Sequence, residues 1–135
     1  LTGSFFINNK VNYYNQLEPI NRAAMMSQTQ ENNSLSTLRG NASNVASFLK
    51  LVANSNRLLV LCRLSGGEAC VSELEEELSL SQPALSQHLA RLRQEGVLET
   101  RRDGQQIYYS IRDPRIVRML PFLDEIAASL NQPLA

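Results

Sequence analysis

Leucine recurs at Leu85, Leu89 and Leu92, a spacing of i, i+4 and i+7 that places all three on one stripe of a helix. Gln82, Ser86, Gln87 and Arg91 fall largely off that stripe, so the same helix carries a polar face able to hydrogen-bond base edges and phosphates. Ser81 is a suitable N-cap, and Pro83 sits in the first turn, where a missing N–H costs nothing. Upstream, Val71 to Leu78 reads as a second short helix, separated only by Ser79-Leu80-Ser81. Two short helices joined by so tight a turn form a helix-turn-helix.

The periodicity changes after Gly96, which is placed to cap the helix C-terminus. Val97–Arg102 and Gln106–Ile111 have strand character, with the hairpin signal Asp103-Gly104 between them. A helix-turn-helix followed by a hairpin with arginines near its tip predicts a winged helix, mainly α with a β-hairpin wing (α+β). The hairpin's apolar residues are expected to pack while its tip reaches DNA.

Helical spacing also begins at Leu35, where Leu38, Val45, Leu49 and Val52 form a stripe. Asn54-Ser55 interrupts it, with Ser55 as the expected cap of the next helix, Asn56 to Leu64. Apolar residues all round that helix predict a central, buried one, ended by Gly66-Gly67. Asp113-Pro114 opens a last helix through about Leu130, with Ile116, Met119, Leu120, Leu123, Ile126 and Ala127 on its apolar face. Pro121 inside it is expected to kink the helix or shift its boundary. The first and last helices carry more apolar surface than a small domain hides internally.

Composition changes the picture at the N-terminus. Residues 1–34 are rich in Asn, Gln and Ser without a sustained period, and are expected to be a disordered tail. Met25-Met26-Ser27 within it raises a second reading, that the preceding residues are vector-derived or lie upstream of the true start. The domain is expected to span residues 35–130, with a short tail at 131–135. No apolar run has bilayer length and no signal-peptide pattern occurs, so a cytoplasmic protein is expected. Net charge is zero over 135 residues. Between Ser81 and Arg118, however, seven arginines face four acids, leaving +3 on the half expected to meet DNA. Glu73, Glu75, Glu76 and Glu77 on the preceding helix read as a solvated face turned away from phosphate.

Together the stretches Ala53–Leu61, Val71–Leu74, Ser81–Arg93, Gly96-Val97-Leu98 and Arg101–Tyr109 resemble the ArsR/SmtB family of dimeric bacterial repressors. The BigR/SqrR/HlyU-like branch, several of whose members sense reactive sulfur or thiol oxidation, is the part of the family they resemble most. The resemblance implies a homodimer through the first and last helices. Two recognition helices would then lie ~34–36 Å apart on a near-palindromic double-stranded operator. Ser81, Gln82, Ser86, Gln87, His88 and Arg91 become the expected helix contacts to DNA, and Arg101, Arg102 and Gln105 those of the wing. His88, the single histidine, borders the apolar stripe. Its plainer role is a partly buried residue bonded to a neighbour; the resemblance favours a DNA contact.

The family's metal-binding patterns are incomplete. Where metal sensors carry Cys-Val-Cys, this chain has Cys70-Val71-Ser72, and its last helix has Asp113, Asp124 and Glu125 but no histidine. No metal site or cofactor is expected. A soft ion such as As(III) or Cu(I) held by Cys62 and Cys70 with a third ligand is the alternative. Thiol chemistry at the same two cysteines, releasing the repressor from its operator, is the expected mode of response. Cys62 matches one sensing position of the sulfur-responsive relatives, but the other falls near Ala128, so their bridge cannot form. Cys70 precedes a capping-box pattern, Ser72 with Glu75, and a helix N-terminus lowers a thiol's pKa. A regulator with no inducer and a winged helix used for protein contact remain as further readings. No nucleophile–base set, phosphate loop or carboxylate pair supports an enzyme.

Overall fold

The computed structural model describes residues 35–132, so the expectations for residues 1–34 and 133–135 lie outside the described residues. The chain divides into two units, residues 1–50 and 51–135. No single described helix is long and apolar enough to cross a membrane.

In the first unit, α1 (Ser36–Gly40) is followed by α2 (Ala42–Val52), whose last two residues belong to the second unit. The continuous helix expected from Leu35 is therefore broken at Asn41. There the backbone N–H donates to Leu38 and Thr37 carbonyls, and the side-chain amide donates to Thr37 O at 3.1 Å. These bonds close the first helix and let the chain restart. Leu35, Leu38 and Leu49 are exposed.

The second unit contains α3 (Ser55–Leu64), β1 (Ala69–Cys70), α4 (Val71–Leu78), α5 (Gln82–Gln94), β2 (Leu98–Asp103), β3 (Gln106–Ile111) and α6 (Pro114–Leu130). Its core is built from Val60, Leu61, Leu74, Leu85, Leu89, Leu92, Val97 and Ile116, all fully buried. The leucine stripe of α5 is thus the side that faces inward. The α3 helix, expected to be buried all round, buries only Val60, Leu61 and Leu64, and Leu59 is exposed. Three buried positions on a ten-residue helix make one face, the ordinary pattern of a helix on the rim of a core.

The caps differ from expectation by one or two residues. Asn54, not Ser55, caps α3, accepting from Arg57 N at 3.1 Å. Cys70 with Glu73, not Ser72 with Glu75, forms the capping box of α4. The shift follows from β1, a strand too short to leave a period in the sequence, which keeps Cys70 extended (φ −87, ψ 168) so that the helix starts at Val71. Ser81 occupies the N-cap of α5, but its side chain makes no capping bond. At the other end Gly96 takes φ +75, its N–H bonds Arg93 O, and Val97 N–H bonds Leu92 O. This pair of bonds is a Schellman motif, and it turns Val97 directly into the core.

The sheet is antiparallel in the order β1-β3-β2. Asp103 pairs with Gln106, so the turn is Gly104-Gln105, one residue later than Asp103-Gly104. Gly104 has φ +61 and Gln105 does not take a positive φ, the arrangement a type II′ turn requires. Pro121 neither ends α6 nor shifts its boundary: the helix continues for nine residues beyond it, to Leu130. Ile116 and Leu120 are buried ahead of it, whereas Phe122, Ile126 and Leu130 are exposed.

Candidate nucleic-acid interface

The turn between α4 and α5 is tight because Ser79 adopts a left-handed conformation (φ 54, ψ 37) and Ser81 returns to extended backbone. With Leu85, Leu89 and Leu92 buried, α5 presents its remaining sides in a fixed rotation. Ser81, Gln82, Gln87 and Arg91 are exposed, and Ser86 is half-buried. Gln82 donates to Ser86 Oγ at 3.2 Å across one helical turn, and Arg91 lies 3.4 Å from Glu95. Both are exposed i,i+4 pairs of the kind water and anions displace at little cost.

The two flanks of α5 differ. His88 is half-buried, with its Nε2 3.4 Å from Asn56 Nδ2 on α3. The flank carrying His88 therefore looks toward α3. The opposite flank looks toward the sheet: Ser86, Ala90, Arg93 and Gln94 join Tyr109 of β3 in lining an open groove of about 410 Å3.

Strand parity sorts the wing. Residues alternate between the two faces of a sheet. Leu98 and Ala69, on the core face, are buried; Thr100 pairs with Tyr109 and Arg102 with Ile107, so Arg102 and Tyr109 share that face. Arg101 pairs with Tyr108 on the outer face. There its guanidinium makes two bonds to Glu68, at 2.6 and 3.1 Å, lies 3.6 Å from Asp103, and stacks 4.8 Å from the Tyr108 ring centre. The guanidinium holds the Glu68 carboxyl below its ordinary range. Arg101 thus has an exposed ion-pair partner in Glu68, which the sequence did not anticipate. Arg102 and Gln105 are exposed, and Arg102 Nε donates to Gly104 O at 3.1 Å, bracing the turn.

The expected set is accordingly divided. Ser81, Gln82, Ser86, Gln87 and Arg91 share the outward surface of α5, Arg102 and Gln105 share the wing tip, half-buried His88 borders α3, and exposed Arg101 pairs with Glu68 on the outer face of the wing. Arg93 and Tyr109 border the groove without being among the expected contacts. Counting strand parity back from a Gly104-Gln105 turn would have found Tyr109; only the helix rotation finds Arg93. Glu77 pairs with Arg63 and Glu73 bonds the Cys70 N–H, so part of the acidic run of α4 has structural partners.

Cys62 and Cys70 are both free thiols. Cys70 is buried, with Sγ 3.1 Å from Ser72 Oγ, while its N–H donates to Glu73 at 2.9 Å and holds that carboxyl below its ordinary range. Cys62 is half-buried; burial, and then the charge of Asp124 on α6, push its thiol up. Among the described residues, no three His, Cys, Asp or Glu side chains cluster as a metal site.

Residues 54–100 match the family described as bacterial regulatory protein, arsR family. The chain is 38% identical over 98 residues to the transcriptional activator HlyU of Vibrio cholerae, a match covering 73% of this chain and 91% of that protein. The solved structure of reduced HlyU from Vibrio cholerae superposes with a TM-score of 0.62 over 68% of this chain and 97% of that one. The transcriptional repressor BigR from Xylella fastidiosa superposes with a TM-score of 0.66 at 35% identity, over 69% of this chain and 95% of that one. These similar proteins are transcriptional regulators, not enzymes, and their winged-helix fold is the one described above. The chain belongs to the arsR family of bacterial DNA-binding regulatory proteins.

Proposed function

We propose that this regulator works in the cytoplasm as a homodimeric repressor, with α5 of each protomer in successive major grooves of a near-palindromic operator. The observation that carries this reading is the rotation of α5, which buries three leucines and leaves Gln82, Gln87 and Arg91 outward. Gln87, central on that surface, is suited to a bidentate base contact; Ser81, Gln82, Ser86 and Arg91 serve bases or phosphates beside it. Arg102 and Gln105 supply the wing's contacts. His88 and Arg101 hold the interface in shape, through Asn56 and Glu68.

The dimer is supported by the apolar residues each unit leaves exposed, Leu35, Leu38 and Leu49 in one and Phe122, Ile126 and Leu130 in the other. A second copy that meets the same faces would cover both, as a two-fold interface does. The test is binding to the DNA upstream of the chain's own gene, with protection of two half-sites about one turn apart. Protection of a single half-site, or none, contradicts it.

Release through thiol modification is favoured by the place of Cys70. It ends β1, which pairs with the wing strand β3, and it caps α4, the first helix of the helix-turn-helix. A sulfur added to a side chain so buried must displace either the strand or the helix. The similar HlyU has been solved in a form specified as reduced. Cys70→Ser should keep DNA binding and lose the response to polysulfide or peroxide; a response that persists in Cys62→Ser/Cys70→Ser refutes thiol control.

A further inference from the structure

The groove between α5 and β3 is a feature of the interface left without a role. Its lining combines the polar ends of Ser86, Arg93, Gln94 and Tyr109 with apolar surface that includes Ala90. At about 410 Å3 it falls within the ~300–1,000 Å3 of ligand clefts. Arg93 is exposed and no described residue pairs with its guanidinium. Arg102, on the same sheet face as Tyr109, uses Nε on Gly104 and keeps its terminal nitrogens for an anion. Arg93 thus lines the open channel beside the recognition helix, and Arg102 stands farther toward the wing tip on the same sheet face, two residues beyond Thr100, the partner of Tyr109. Arg101, one residue away, points to the opposite face and is neutralised by Glu68.

We propose that this groove seats the sugar–phosphate backbone of one DNA strand, with Arg93 and Arg102 on its phosphates and the Ser86 and Tyr109 hydroxyls as neutral donors. Glu68 keeps Arg101 out of the phosphate set, so the wing contributes one charge to DNA although it carries two arginines. The proposal rests on the DNA-binding reading above and adds to it which strand element lies where. A phosphate in the groove would orient α5 in the major groove while leaving Gln87 free for bases, since phosphate contacts position and base contacts specify.

The salt dependence of binding to a random-sequence duplex tests this without knowledge of the operator. Each phosphate neutralised contributes about 0.9 to the slope of log affinity against log salt. Measured by fluorescence anisotropy from about 50 to 200 mM KCl, Arg93→Gln and Arg102→Gln should each reduce the slope by about one unit. Tyr109→Phe should weaken binding with the slope kept. The exchanged pair Glu68→Arg/Arg101→Glu retains an ion pair on the outer face, so it should fold and keep the wild-type slope. A lower slope in the exchanged variant, or an unchanged slope in both Arg93→Gln and Arg102→Gln beside a steep wild type, overturns the proposal alone. A wild type whose binding ignores salt removes the DNA reading itself, and this inference with it.

Discussion

Asp124 on α6 raises the thiol of Cys62 on α3, adding its charge to the effect of burial. Both causes disfavour the thiolate, the form that reacts. The iodoacetamide alkylation of Cys62, followed in Cys70→Ser, should therefore accelerate only at alkaline pH. Asp124→Asn should move that profile to lower pH. An alkylation midpoint for Cys62 below the ordinary thiol value of ~8.5 contradicts this account.

Asp113 is a buried acid that caps α6, accepting from Arg115 N at 2.9 Å and from the Arg115 guanidinium at 2.6 to 3.0 Å. The Arg115 bonds hold its carboxyl below the ordinary range. A carboxyl depressed in the folded state contributes stability above its unfolded value of ~3.9 and loses it as pH falls through the folded value. Asp113→Ala should cost ~0.5–2 kcal/mol in urea unfolding at pH 7, the range of a lost cap. The difference from wild type should shrink as pH drops below about 4. A constant difference across that range would show that the charge plays no part.

The exposed face of α6 gives a sharper test of assembly than its half-buried positions. Ile126 is 53% exposed, so Ile126→Asp should leave each protomer folded, with unchanged far-UV circular dichroism. Stranding a charge in an apolar interface should nevertheless convert a sedimenting dimer to monomer. Operator affinity should then fall by ~10²-fold or more, because the second head is no longer linked to the first. A dimer that survives the substitution places the interface elsewhere.

Gln87 and His88 are neighbours with different expected effects. Gln87→Ala should relax discrimination at one or two base pairs, by ~1–3 kcal/mol, with little change in stability. His88→Ala should instead lower stability through the lost packing and Asn56 contact, and weaken all sequences alike. Selection of preferred sites from a randomised duplex pool separates the two; identical preferences for wild type and Gln87→Ala contradict the assignment.

The fold was legible wherever a period ran for several turns. Leu85, Leu89 and Leu92 fix the inward face of α5, and the glycine turn fixes the wing. What escaped is carried by single residues. The two-residue strand β1 has no pattern, yet it moves the cap of α4 from Ser72 to Cys70. The turn at Gly104-Gln105 lies one residue beyond the Asp-Gly signal. Near the tip, the face on which each wing arginine stands is decided by strand parity, and that Glu68 should reach Arg101 across 33 positions is visible only in three dimensions. The polar residues of α5 were legible as a set, but their division between the α3 flank and the sheet flank depends on the helix's rotation in the core.

The central claim is that α5 and the wing form a DNA-binding surface, and the salt dependence of duplex binding by the wild-type chain tests it most directly. With phosphate contacts from both protomers the account predicts a log–log slope of several units, about 0.9 per phosphate. Binding that is absent, or that holds constant as salt rises, would contradict it.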